Sequence, residues 1–152
     1  MKSRANPYAS LDLVKPLIDY SMTIQSRLEP SLAHLVKIRA SQINGCAMCL
    51  NLHTQEARKD GEREERIFLL DSWRESPLYT DRERAALGWT EALVRLSDTR
   101  APDEDYAAVE AQFNETERVN LTLLIGAIMS FNQLGVGFRL RHPTSAAARA
   151  AA

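Results

Sequence analysis

PSLAHLVKIRASQINGCAMCLNLHTQEARKDG, residues 30–61, spells two helices joined by one tight turn. Pro30 suits a first helical turn, where its missing N–H costs nothing, and Leu32, Leu35, Val36 and Ile38 follow at helical spacing. The pair Asn44-Gly45 tolerates a left-handed backbone and stops that helix. A second helix then begins around Cys46 and runs to Lys59, with Gly61 as its C-terminal stop.

The helical rhythm continues on both sides. Upstream, Leu11, Val14, Leu17 and Ile18 share a face, and Ser10 is positioned as an N-cap. Downstream, Glu62 to Trp73 reads as one further helix, closed by Ser76-Pro77. Thr80-Asp81-Arg82-Glu83 has the capping-box pattern before Ala85, Leu87, Trp89, Ala92, Leu93 and Leu96. Asp103 to Phe113 forms a shorter helix after Pro102, and Asn114 to Glu117 caps a last, apolar helix that extends towards Leu140. Strand alternation, hairpin signals and solenoid repeats are absent. The expectation is an all-α domain of six or seven helices over residues 1–144, followed by a flexible Ala-rich tail over 145–152.

Composition narrows the function. With 45% hydrophobic and 26% charged residues the chain can bury a core, and a formal charge of -1 with no basic stripe argues against nucleic acid as the main partner. The N-terminus lacks the apolar run of a secretory signal. The most apolar stretch, Val119 to Phe131, is short for a bilayer and carries Asn120, Thr122 and Ser130, so it reads as a buried helix. A soluble, cytoplasmic protein is expected. In a reducing compartment two close cysteines point to catalysis or metal binding rather than a structural bridge.

Cys46, Cys49 and His53 fall within a sector of roughly 60° on a helix that advances about 100° per residue. Free N–H groups and positive partial charge in a first helical turn favour thiolate over thiol. The trio offers a nucleophile, a second sulfur within bridging reach and a proton carrier. Two other readings use the same residues: two buried, inert cysteines, or a zinc site that recruits His53 and His34.

The run Leu35 to Cys49, its continuation through His53, Glu56, Ala57, Arg58 and Gly61, and the later segment Thr80 to Leu96 resemble the AhpD-like branch of the carboxymuconolactone decarboxylase family. The resemblance covers about half the chain, in order. It implies an all-helical fold assembled as trimers or hexamers, and thiol peroxidase or disulfide reductase activity rather than decarboxylation, since the decarboxylases generally lack the cysteine pair. It implies no bound cofactor or metal. The partners it implies are a hydroperoxide substrate and a dithiol or lipoylated protein as reductant. Carried over, Cys49 matches the peroxidatic sulfur, Cys46 the resolving one and His53 the relay histidine. Helix polarity alone favours Cys46 as the more acidic thiol, whereas the proximity of His53 favours Cys49.

Two departures from the family pattern bear on activity. His34 stands twelve residues before Cys46, where well-characterised members carry a relay glutamate, and Met48 stands between the cysteines in place of a histidine. His34 can still shuttle a proton but offers no negative charge. A disulfide reductase with little peroxidase activity is therefore a rival reading, as are a zinc-binding helical module and a structural oligomer whose cysteines never cycle. Glu56, three residues after His53, either orients that imidazole or lies exposed towards Lys59. His142 reads as tail, Gly135-Val136-Gly137 is not a dinucleotide fingerprint, and Trp73, Trp89 and Met129 read as core or interface that could also wall a pocket. An apolar wall would suit an organic hydroperoxide or a lipoyl-like dithiol.

Overall fold

Pro30 opens helix α2 (Pro30–Asn44), and ten consecutive residues of it, Leu32 to Ser41, are buried. An amphipathic surface helix would bury one face. This one is central, packed against α3 (Ala47–Lys59), α5 (Asp81–Val94) and α8 (Glu115–Gly137). The remaining helices are α1 (Leu11–Gln25), α4 (Glu64–Phe68), the single-turn α6 (Leu96–Thr99) and α7 (Asp103–Gln112). The computed structural model describes residues 2–143, and all of its regular elements there are helical. The expected Ala-rich tail, 145–152, lies outside the described residues.

Two apolar clusters flank α2. Leu32, Ala33 and Val36 pack against Ala86 and Trp89 of α5 and Leu121, Leu124 and Ile125 of α8. Leu35 and Ile38 pack against Ala57, Ile67, Leu70, Trp73 and Leu87. Because α2 is enclosed, each polar side chain on it needs a partner. His34 bonds to Asp60, Lys37 to Gln25 and Glu56, Arg39 to Glu91 and Asp71, and Ser41 to the carbonyl of Lys37. Radiating pairs of this kind tie the surrounding helices to the central one.

Capping follows local chemistry where the sequence supplies it. Thr80–Glu83 and Asn114–Glu117 both form complete capping boxes. Elsewhere the structure corrects the reading. Ser10 makes no side-chain cap; a 3-10 turn, Pro7–Ser10, precedes α1 and is capped by Asn6. The segment 62–73 is not one helix but α4 followed by a 3-10 turn, Leu70–Ser72. Ile67, Leu70 and Trp73 all enter the core at spacings of three, the period of a 3-10 helix. The count of six or seven helices becomes eight among the described residues once the single turn α6 is included. Helix α8 stops at Gly137, short of Leu140. Arg139 takes a left-handed φ of 55°, and Leu140 N–H donates back to the Gly135 carbonyl at 2.9 Å, a Schellman closure.

At 23 residues α8 is long and apolar enough, by length and composition alone, to cross a membrane, a test that the core helix of a folded domain also passes. Its Leu121, Leu124, Ile125, Ala127 and Ile128 are buried within the fold, as a core helix requires.

Candidate active site

The turn that ends α2 also builds the sulfur site. Gly45 adopts φ 66°, and Cys46 N–H donates to the Ser41 carbonyl at 3.0 Å, closing α2. Cys46 is then the N-cap of α3: its Sγ accepts from the Cys49 N–H at 3.3 Å. One residue therefore finishes one helix and starts the next. Both sulfurs sit in the first turn of α3, where unpaired N–H groups favour negative charge on sulfur. Cys46 and Cys49 are joined as a disulfide, with Cα atoms 5.3 Å apart.

Helix α8 presses on this pair with a glycine. A Cβ at Gly135 would lie 2.5 Å from Cys46 Sγ and 3.5 Å from Cys49 Sγ, so no side chain fits there. The approach is held by Asn132, which donates to Ser41 Oγ at 3.0 Å and accepts from Asn44 Nδ2 at 3.0 Å. The two cysteines consequently differ in access. Cys46 is 1% exposed, whereas Cys49 is 7% exposed and lines a cavity of about 380 Å3. The cavity walls are largely apolar, with Ile18, Met22, Leu52, Ile128, Phe131 and Leu140 among them.

His53, one helical turn after Cys49, lines the same cavity. Its Nδ1 lies 2.8 Å from Glu56 Oε2. Glu56 is held down to about pKa 2, chiefly by this hydrogen bond with help from Lys37, and so is ionised at neutral pH. An ionised carboxylate only accepts, which places the proton of neutral His53 on Nδ1 and leaves Nε2 as the basic nitrogen. Burial pushes His53 below its ordinary pKa; the bond to Glu56 pulls the other way, and Lys37 and His34 reinforce the lowering. Of the two sequence readings of Glu56, the orienting one matches this geometry. Lys59 is exposed, and the cation that faces Glu56 is Lys37, 3.2 Å away.

His34 lies apart from this arrangement. Its Nε2 bonds to Asp60 Oδ2 at 2.8 Å, and it borders a second, polar cavity with Ser31, Glu62 and Arg66. The structure thus brings together Cys46, Cys49, His53 and Glu56, and does not hydrogen-bond His34 to His53. Among the described residues there is no group of three or more His, Cys, Asp or Glu placed to hold a metal. Trp73 and Trp89 belong to the core, donating to Glu91 and Thr122. Met129 packs against the core from the side.

Two members of the site escaped the sequence reading. Lys37 is buried and lines the cavity, and its signal was a lone ammonium between Val36 and Ile38 in an otherwise apolar stretch. Gly135 carried only the weak signal of a glycine in a helical, apolar run.

The chain is similar to known proteins. YdfG of Bacillus subtilis (strain 168), an uncharacterized protein, is 41% identical over 114 residues, 75% of this chain and 78% of that protein. A crystal structure from Agrobacterium tumefaciens, of a protein of unknown function suggested to be the antioxidant defence protein AhpD, superposes with a TM-score of 0.91 at 44% identity. It covers 95% of this chain and all of its own. A peroxidase-related, uncharacterized protein from Silicibacter sp. TM1040 shares the fold, with a TM-score of 0.75 at 20% identity over 89% of this chain and 70% of that one. With residues 11–92 matching the family itself, the chain belongs to the carboxymuconolactone decarboxylase family, in its AhpD-like branch.

Proposed function

We propose that the protein is a thiol-dependent peroxidase that cycles through a Cys46–Cys49 disulfide. One observation carries this reading: Cys49 borders the cavity that also holds His53, while Cys46 sits behind it, buried under Gly135. In the reduced protein His53 takes the Cys49 proton, and the thiolate attacks the distal oxygen of a hydroperoxide. The O–O bond breaks, Cys49 becomes a sulfenic acid, and the alkoxide leaves as alcohol with the proton from His53. Cys46 then attacks the Cys49 sulfur, and the proton it gives up goes to the departing hydroxide. Water leaves and the disulfide forms. A dithiol, free or on a lipoylated protein, returns both sulfurs to thiols by exchange through a mixed disulfide. A reducing, cytoplasmic setting would sustain that last step. Assembly of copies as a trimer or hexamer is part of the same reading, since Leu13, Met22 and Phe68 leave large apolar side chains at the surface.

Stopped-flow consumption of cumene hydroperoxide, with mass spectrometry of the sulfur products, tests the cycle. Cys49→Ser is expected to consume none. Cys46→Ser is expected to complete one turnover and accumulate sulfenic acid on Cys49. Consumption by Cys49→Ser equal to that of the unaltered chain would overturn the assignment. The placement of His34 on Asp60 favours one alternative, a disulfide reductase with little peroxidase activity. Reduction of a lipoamide disulfide without hydroperoxide consumption would establish it.

A further inference from the structure

Lys37 is an expensive residue to place where it is. It lies mid-helix in α2, 3% exposed, on the wall of the sulfur cavity. A buried ammonium persists only with close partners. It has two, and they come from different helices: Gln25 Oε1 of α1 at 2.8 Å and Glu56 Oε2 of α3 at 3.2 Å. The same Glu56 oxygen receives His53 Nδ1–H at 2.8 Å. One carboxylate oxygen is thus shared by the Lys37 side chain and the imidazole.

Building on the proposed thiol chemistry, we propose that Lys37 is a positioning residue, which holds Glu56 against His53 and cancels its charge so that His53 rests as a neutral base. A lone carboxylate beside an imidazole stabilises the protonated ring, and an adjacent ammonium opposes it. Burial already holds His53 below its ordinary pKa, and Lys37 adds to that lowering against the pull of Glu56; without Lys37 no cation bonded to Glu56 would oppose that pull. With Lys37, charges balance before and after the transfer. Lys37 and Glu56 cancel while His53 is neutral, and the imidazolium and thiolate cancel once the Cys49 proton has moved to His53.

The other groups around His53 leave this role to Lys37. Helix α3 contributes Cys49 and Glu56, α2 contributes Lys37 and His34, and the 3-10 turn before α1 contributes Tyr8 at the cavity wall. Burial pushes the Lys37 ammonium below its ordinary pKa, and Glu56, with Asp60 at the end of α3, opposes that lowering. Helices α1 and α8 line the cavity with Ile18, Ser21, Met22, Gln25, Ile128, Phe131 and Gly135, none of them ionisable. Lys37 is the cation that bonds directly to the carboxylate orienting His53.

Titration of His53 by 15N NMR in the full-length, disulfide form tests this without interference from the thiols. At pH 7 the unaltered protein should show a neutral ring protonated on Nδ1. Lys37→Met and Lys37→Gln should raise the His53 midpoint by about one pH unit or more, and Lys37→Arg should restore it. A cationic His53 in the unaltered protein at pH 7 overturns the proposal even if no variant folds. So does an unchanged midpoint in a folded, uncharged variant. The measurement uses no peroxide. A protein that titrates as expected but consumes no hydroperoxide would lose the peroxidase reading and keep this one.

Discussion

Helix α2 sends two buried ionic clusters in opposite directions, and they are built differently. On one side Glu91 accepts from Arg39 Nε and Trp73 Nε1, both at 2.8 Å on Oε1, and from Arg74 at 2.5 Å on Oε2. Arg39 bonds in turn to Gln42 and Asp71. Both carboxylate oxygens are used, and the cluster borders no cavity shared with the sulfurs. On the other side Lys37 and His53 share a single oxygen of Glu56, a side chain that is 41% exposed, and the group opens into the cavity beside Cys49. A saturated network fixes geometry. One that opens on a cavity, with an unused ring nitrogen, has capacity left to move a proton.

The largest effect should come from breaking the closed cluster. Glu91→Ala strands Arg39 without its buried partner and should destabilise the fold by about 3–5 kcal/mol. Cys49 alkylation, assayed well below the melting temperature, should hardly change. Urea unfolding checks the first half; a loss under about 1 kcal/mol would mean that the Glu91 cluster does not hold the fold more firmly than the open one.

Next comes the packing that keeps one sulfur hidden. Gly135→Ala drives a methyl into Cys46 Sγ and should cost about 1–3 kcal/mol. The same variant should alter how readily dithiothreitol reduces the disulfide, because α8 must retreat from the pair. Unchanged stability and unchanged reduction would show that Gly135 does not seal Cys46.

The smallest change in stability belongs to the open cluster. The Glu56 carboxyl titrates at about 2 when folded, below its unfolded value, so its contribution is complete above the ordinary carboxylate range and disappears as pH falls towards 2. Because Glu56 is well exposed, that contribution is screened to about 1 kcal/mol or less. Glu56→Gln should therefore barely shift the unfolding midpoint at pH 7, flatten the acid limb, and slow hydroperoxide turnover by roughly tenfold as His53 loses its orientation. Lys59→Ala, which removes the exposed lysine that the sequence left as a rival partner, should do none of these. Equal effects from the two substitutions would return Glu56 to an ordinary surface role.

Reading along the chain succeeded where the physics is local. Two capping boxes and the Gly45 turn depend on neighbours within five residues and appear as expected, whereas Cys46 is the N-cap of α3 and does not share the cavity face of Cys49 and His53. The contact of His53 with Glu56, three residues apart, is local too, but the sequence left it as one of two readings and the structure matches the orienting one. The break between α4 and the 3-10 turn was not legible, because it answers to the distance at which Ile67, Leu70 and Trp73 must meet the core. Lys37 and Gly135 escaped for a similar reason: their partners lie far along the chain, at Gln25 and Glu56 for the lysine and at the cysteine pair for the glycine.

By itself, then, the order of amino acids determined an all-helical chain with two cysteines and a histidine clustered at the start of one helix. Histidine proximity and the family resemblance favoured Cys49 as the attacking sulfur against helix polarity, but neither could say which sulfur meets the cavity. Only the tertiary structure decided that. Helix α8 lies across Cys46 with a glycine and leaves Cys49 on the cavity wall, and α1 and α2 bring a buried ammonium to the carboxylate behind His53. Dihedral preferences and capping act over a few residues, whereas exclusion of solvent and pairing of buried charge act between segments that meet only when the chain has packed.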